Sequence, residues 1–112
     1  MKIYGIPNCG SVKKALEFIK KHDIDFQFID FKKTGPSKEQ IENWTKAVTM
    51  DKLFNTKGTK YRSSGFDYKN MSETAKLNAL VLEPTMIKRP VLEYKNKILV
   101  GFDEESYKKE LI

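Results

Sequence analysis

The first thirty residues constrain the fold more tightly than any other part of the chain. An apolar strand pattern over Lys2–Ile6 leads into a turn of Pro, Asn, Cys, Gly and Ser, and a helix pattern follows. Aromatic, β-favouring residues over 26–31 predict a second strand. Two strands joined through a helix pair in parallel with a right-handed crossover, so the sequence predicts a βαβ start to an α/β fold. The apolar face of the helix comprises Val12, Ala15, Leu16 and Ile19.

The middle of the chain, 35–84, has the pattern of a small helical lobe inserted into this fold. Ser37 and Gln40 have the spacing of a capping box, and the apolar face of the helix behind them carries Ile41, Trp44 and Val48. A polar loop is predicted over 55–65, and Ser72 opens another helix that ends near Pro84. No sharp change in composition separates the lobe, so we expect one domain over 1–112.

The last part of the chain returns to strands. Two short apolar runs, Pro90–Tyr94 and Lys97–Val100, flank the dipeptide Lys95–Asn96, a pattern typical of a hairpin with a tight turn. A final helix is predicted from Glu104 to about Leu111, capped by the residues before it, with Tyr107 and Leu111 facing inward.

Cys9 is the only cysteine, and it falls where the first helix begins. Free backbone N–H groups and the positive end of the helix dipole favour a thiolate there, and the thiolate is the reactive form. A buried, inert cysteine is the alternative. The turn-forming neighbours of Cys9 favour exposure. We therefore interpret Cys9 as a nucleophile.

Composition limits the remaining possibilities. A single cysteine can form neither an internal disulfide nor a metal site built from several thiolates. His22 lies at the end of the first predicted helix, where a histidine interacts with the helix dipole, so no metal site is expected. The net charge of +6 comes mostly from scattered lysines. The closest approach to a basic cluster, Lys57–Arg62, suits a small anion as well as a nucleic acid, and no direct nucleic-acid binding is expected. Without a leader or a membrane-length apolar run, a cytoplasmic location is expected.

Several motifs together resemble those of one family. They are Pro7–Cys9, Gly58–Arg62, Lys88–Val91 before the hairpin, and Val100–Glu104 before the last helix. With them, the whole chain resembles the arsenate reductase, Spx and YffB group of thioredoxin-fold proteins, and most of all its single-cysteine YffB-like branch. The resemblance implies a thioredoxin-like fold in which Pro90 is cis and faces the loop that carries Cys9.

The resemblance also implies a chemistry. In this branch a glutathione-dependent monothiol oxidoreductase is expected, with Cys9 and Arg89 as catalytic residues and glutathione or a protein thiol as the partner. Arg89 favours the thiolate, and its planar guanidinium group can donate two parallel hydrogen bonds to an anion. No tightly bound cofactor and a monomeric state are expected. The residues expected to contact glutathione or shape its groove are Asn8, Gly10, Ser11, Lys13, Arg62 and Pro90.

Two alternatives remain open within the same resemblance. An Spx-like transcriptional regulator would bind RNA polymerase, although Val12 replaces the second cysteine of the Cys-x-x-Cys switch of such proteins. An arsenate reductase would use Cys9 against the oxyanion. The arginine that this activity uses after the hairpin has no counterpart here, because Gly101 and Phe102 occupy that stretch.

Overall fold

A computed structural model describes all 112 residues, which divide into two compact units. The first unit comprises Met1–Asp30 and Arg89–Ile112, and the second comprises Phe31–Lys88. No helix in the chain has both the length and the apolar character needed to cross a membrane. The strands are β1 Lys2–Gly5, β2 Gln27–Asp30, β3 Val91–Tyr94 and β4 Lys97–Val100. The α-helices are α1 Gly10–Lys21, α2 Lys38–Ala47, α3 Met50–Leu53, α4 Thr59–Ser64, α5 Glu73–Leu82 and α6 Glu104–Leu111.

The first unit is built on a mixed four-stranded sheet with the order β2-β1-β3-β4. β1 pairs with β2 in parallel, whereas β3 runs antiparallel to both β1 and β4. The central position of β1 sets Ile3 between Phe28 on one side and Leu92 on the other. The predicted βαβ start and the α/β class are therefore confirmed.

Packing in this unit follows the predicted apolar face of α1. Val12, Ala15 and Ile19 are fully buried, and Leu16 packs against the core while partly exposed. Phe18 was not predicted to lie inside, yet it is buried, and its ring meets that of Tyr107 edge-on at 5.6 Å. The predicted inward positions of Tyr107 and Leu111 on α6 are confirmed.

The hairpin also forms as predicted. Lys95 and Asn96 have φ values of 46° and 65°, which is the left-handed geometry of a two-residue primed turn between twisted strands. Pairing of β3 with β4 then aligns Val91 with Val100, so the start of β3 and the end of β4 lie side by side.

The second unit contains α2–α5. The capping box forms, because the Ser37 hydroxyl accepts from the Gln40 N–H at 3.1 Å and the Gln40 side chain accepts from the Ser37 N–H at 2.9 Å. Ile41 and Trp44 of α2 are fully buried, and Ser72 caps α5 through the Ala75 N–H as predicted.

The predicted loop over 55–65 is wrong in part, since it contains the short helix α4. No side chain caps this helix, so its start gives little sequence signal. Packing stabilises it instead: the Tyr61 ring meets Phe54 edge-on at 5.9 Å. Gly65, with φ of 80°, ends the helix in the left-handed conformation that glycine adopts most readily.

Candidate functional site

Cys9 lies in the turn between β1 and α1 and is the N-cap residue of α1. Its backbone is extended, with φ of −88° and ψ of 129°, and its carbonyl accepts from the Lys13 N–H at 3.0 Å, which begins the helix. Its own N–H donates to the Ile6 carbonyl at 3.3 Å and closes the turn. The residue is partly exposed, and its side chain is held at the start of a helix.

The pKa of the Cys9 thiol reflects opposing influences. Burial raises this pKa, but the backbone N–H of Val12, the Arg89 side chain and the backbone N–H of Ser11 each favour the thiolate by hydrogen bonding, and the charge of Arg89 adds to them. The net result is a pKa below the ordinary value. The site therefore increases the fraction of the nucleophilic form.

Arg89 reaches Cys9 from the other segment of the first unit, where it lies two residues before the start of β3. The Arg89–Pro90 peptide bond is cis, as the family resemblance implies, and Pro90 is buried. The Pro90 carbonyl accepts from the Gly101 N–H at 2.8 Å, which ties the start of β3 to the end of the hairpin. The sheet thus brings together two residues that are far apart in sequence. A thiolate beside a guanidinium can attack a disulfide or hold an anion.

Gly5 fixes the approach of β1 to α1 and was missed by sequence reasoning. A Cβ atom on Gly5 would lie 2.8 Å from a methyl carbon of Val12, which is closer than carbon atoms pack. Val12 is fully buried and has a stiff β-branched side chain, so it has little freedom to move away. Gly5 therefore sets the position of the first turn of α1, whose N–H groups act on the sulfur. A glycine at the end of a strand was the available signal.

Replacing Gly5 by alanine is expected to disturb both stability and the thiol. We expect Gly5→Ala to lower the free energy of unfolding in urea by about 1–3 kcal/mol, because the added methyl overpacks the β1–α1 contact. It should also slow alkylation of Cys9 at neutral pH. The matched control for stability alone is Gly10→Ala, whose added carbon has nothing within 4 Å. If Gly5→Ala unfolds in urea and reacts with the alkylating reagent as the wild type does, the close approach of β1 to α1 has no role in the site.

The other predicted contact residues fall into two groups. Asn8, Gly10, Ser11 and Lys13 surround Cys9 in the turn and the first turn of α1, and all four are exposed. Arg62 is also exposed, but it belongs to α4 in the second unit. Its role toward glutathione stays a prediction.

Further polar contacts were not predicted from the sequence. The Tyr4 hydroxyl donates to the Glu93 carboxylate at 2.9 Å and links β1 to β3. No group of three or more His, Cys, Asp or Glu side chains lies close enough together to hold a metal ion. The groups that favour the Cys9 thiolate are the backbone N–H groups of Val12 and Ser11 and the Arg89 side chain.

Fold and site together define a class: small α/β proteins with a cysteine at the start of the helix that follows β1, and an arginine before β3. Within that class, the chain belongs to the ArsC family, whose model matches residues 4–110.

Individual relatives agree with this assignment. An uncharacterised protein of Haemophilus influenzae is 34% identical over 106 residues, which are 94% of this chain and 93% of that protein. The solved structure of a protein called YFFB superposes with a TM-score of 0.91 at 31% identity, covering 99% of this chain and 98% of that one. A global transcriptional regulator Spx of Lactiplantibacillus plantarum is 24% identical over 111 residues, 97% of this chain and 84% of that protein. The fold and family expected from the sequence motifs are confirmed.

Proposed function

We propose that this protein is a monothiol oxidoreductase that exchanges disulfides through Cys9, with glutathione as cosubstrate. The observation that carries the proposal is the position of a partly exposed thiol at a helix start beside Arg89, an arrangement that lowers the pKa of the thiol. A cysteine that only filled space would need neither accessibility nor groups that favour its thiolate.

The reaction balances with thiols alone. The Cys9 thiolate attacks one sulfur of a substrate disulfide, so an S–S bond forms to Cys9 while the substrate S–S bond breaks and its other sulfur leaves as a thiolate. Reduced glutathione, as thiolate, then attacks the substrate sulfur of the mixed disulfide, so a new S–S bond forms between glutathione and that sulfur while the bond to Cys9 breaks and Cys9 leaves as a thiolate. When that sulfur is itself glutathione's, the product is oxidised glutathione. Two electrons pass from thiols to the substrate disulfide. Because the chain has no second cysteine, the resolving thiol comes from solution.

Residues around the sulfur have distinct parts in this proposal. Arg89 and the N–H groups of Ser11 and Val12 favour Cys9 as both attacking and leaving thiolate. Asn8 and Gly10 border the sulfur in the turn, and exposed Lys13 can pair with a glutathione carboxylate. Pro90 would shape the groove, and Arg62, which belongs to the second unit, stays a glutathione contact expected from the family resemblance alone.

The rates of disulfide exchange and of arsenate reduction can be measured on the same preparation of purified protein. We expect the protein to reduce the mixed disulfide of glutathione and 2-mercaptoethanol, with a rate that vanishes in Cys9→Ser. Arsenate reduction with glutathione and glutaredoxin should stay near background. The reason is that Gly101 and Phe102 occupy the stretch after the hairpin where the family resemblance places an arginine. Rapid arsenate turnover without disulfide exchange would overturn the proposal in favour of an arsenate reductase.

A transcriptional regulator is the second candidate, favoured by the near full-length match to Spx. Since no disulfide can form within this chain, a complex with RNA polymerase would survive Cys9→Ser. A pull-down with purified polymerase subunits tests this candidate directly. Retained polymerase together with absent disulfide exchange would replace the oxidoreductase by the regulator.

A further inference from the structure

The net positive charge of the chain lies almost entirely in the second unit, Phe31–Lys88. This unit contains eleven of the 21 Lys and Arg residues but only six of the 15 Asp and Glu residues, so it carries five of the six net positive charges. Within it, the stretch 55–70 has four basic residues and one acidic residue. They are Lys57, Lys60, Arg62, Lys69 and Asp67. Such a surface attracts anionic partners.

A cleft of about 270 Å³ opens on this same unit, between α4, the chain after it and the end of α5. Met86 and Phe66 line its interior, and Leu82 lies at its rim. We call it the α4–α5 cleft. Its two serines, Ser63 and Ser64, donate their hydroxyls to carbonyls within α4, so these groups are already satisfied. The cleft therefore offers the apolar side chains of Phe66, Leu82 and Met86 to a ligand, beside the charged side chains of Lys60 and Glu83.

Leu82 is unusually exposed for a residue of its kind. As the last residue of α5, its side chain is 77% exposed, and the preceding Val81 is 37% exposed. The exposed apolar surface of Leu82 and Val81 is removed from water when an apolar side chain docks against it. The rim of the cleft can thus contribute to binding without any rearrangement of the core.

A charged group adjoins the apolar surface. Lys60 lies 3.4 Å from Glu83 in the lining of the cleft, and their side chains are 61% and 40% exposed. Exposed pairs of this kind contribute little to stability. An incoming carboxylate can therefore compete with Glu83 for Lys60, with the other basic residues of the stretch adding long-range attraction.

We propose that the α4–α5 cleft binds an acidic segment of a partner protein, which places an apolar side chain against Phe66 and Leu82 and a carboxylate against Lys60. Nucleic acid would use the positive charge but would leave the apolar lining without a role. The combination of both features favours an acidic peptide with an apolar anchor. This proposal concerns a different surface from Cys9 and does not rest on the oxidoreductase activity.

The test selects binders without assuming their sequence. A phage-displayed library of random peptides is panned on the full chain after depletion on the empty support, so the Leu82→Glu variant takes no part in the selection. We expect enriched peptides in which Asp and Glu flank a Leu, Phe or Met. A synthetic peptide of the enriched sequence should bind the wild-type protein and Cys9→Ser equally, and bind Leu82→Glu about tenfold more weakly, a change typical of losing an apolar anchor.

Two matched controls separate the cleft from general effects. Ile112→Glu replaces another apolar residue, 68% exposed, in the first unit, and Lys46→Gln removes an exposed lysine from α2; neither should change the affinity. Lys60→Gln should weaken binding. The proposal is overturned if no peptide is enriched, if enriched peptides are not acidic, or if Leu82→Glu binds as well as the wild type. Binding of duplex DNA in place of peptides would likewise overturn it.

Discussion

Treatment of the purified protein with oxidised glutathione is expected to add a single glutathionyl group, and Cys9→Ser is expected to abolish this adduct. Cys9 is the only thiol in the chain, and it is partly exposed. The N–H groups and Arg89 beside it favour the thiolate that attacks the disulfide. Intact-mass measurement checks the result, and dithiothreitol should reverse the adduct.

Serine is a suitable replacement because Cys9 is an N-cap residue. Serine is among the preferred N-cap residues, so Cys9→Ser should keep or strengthen the start of α1 while removing the sulfur. Equal or higher stability in urea would show that the lost adduct reflects chemistry and not unfolding. If oxidation instead gives only a dimer linked through two Cys9 residues, the glutathione site is wrong and a contact between copies replaces it.

Replacement of Arg89 by alanine is expected to give the second large effect. The variant loses the side-chain hydrogen bond and the positive charge that both lower the pKa of Cys9, so this pKa rises. At neutral pH, alkylation of Cys9 by iodoacetamide should slow by at least about threefold, because the rate follows the thiolate fraction. At a pH above both pKa values, the rates of the two proteins should converge.

Lys109→Ala serves as the charge-matched control. It removes one positive charge from the exposed side of α6, in the same unit, without touching the turn that carries Cys9. Arg89→Lys keeps the positive charge but loses the planar guanidinium group. The rate of Cys9 alkylation in this variant should therefore fall between those of the wild type and Arg89→Ala. Equal rates of Cys9 alkylation in Arg89→Ala and Lys109→Ala would contradict the role of Arg89 in lowering the pKa of Cys9.

Local signals explain which parts of the fold were predictable. The Ser37–Gln40 capping box, the helix start at Ser72 and the Lys95–Asn96 turn all depend on residues close in sequence, and each forms as predicted. Helix α4 depends on the packing of Tyr61 against Phe54, and no local sequence pattern predicts that contact.

The same distinction applies to the site. The position of Cys9 at a helix start follows from its turn-forming neighbours. Its contact with Arg89 depends on the sheet order, which spacing along the chain does not reveal, and only the family resemblance indicated it. The closeness of Gly5 to Val12 is likewise a property of packing between β1 and α1.

The central claim is that the fold prepares Cys9 as a nucleophile, and the pH dependence of its alkylation tests this most directly. The rate of reaction with iodoacetamide is measured across the titration of the thiol, with the unfolded protein in urea as the reference for the same cysteine. The account predicts a midpoint in the folded protein below the free-thiol value of about 8.5. A folded midpoint equal to or above that of the unfolded chain would contradict the nucleophile assignment and the oxidoreductase proposal with it.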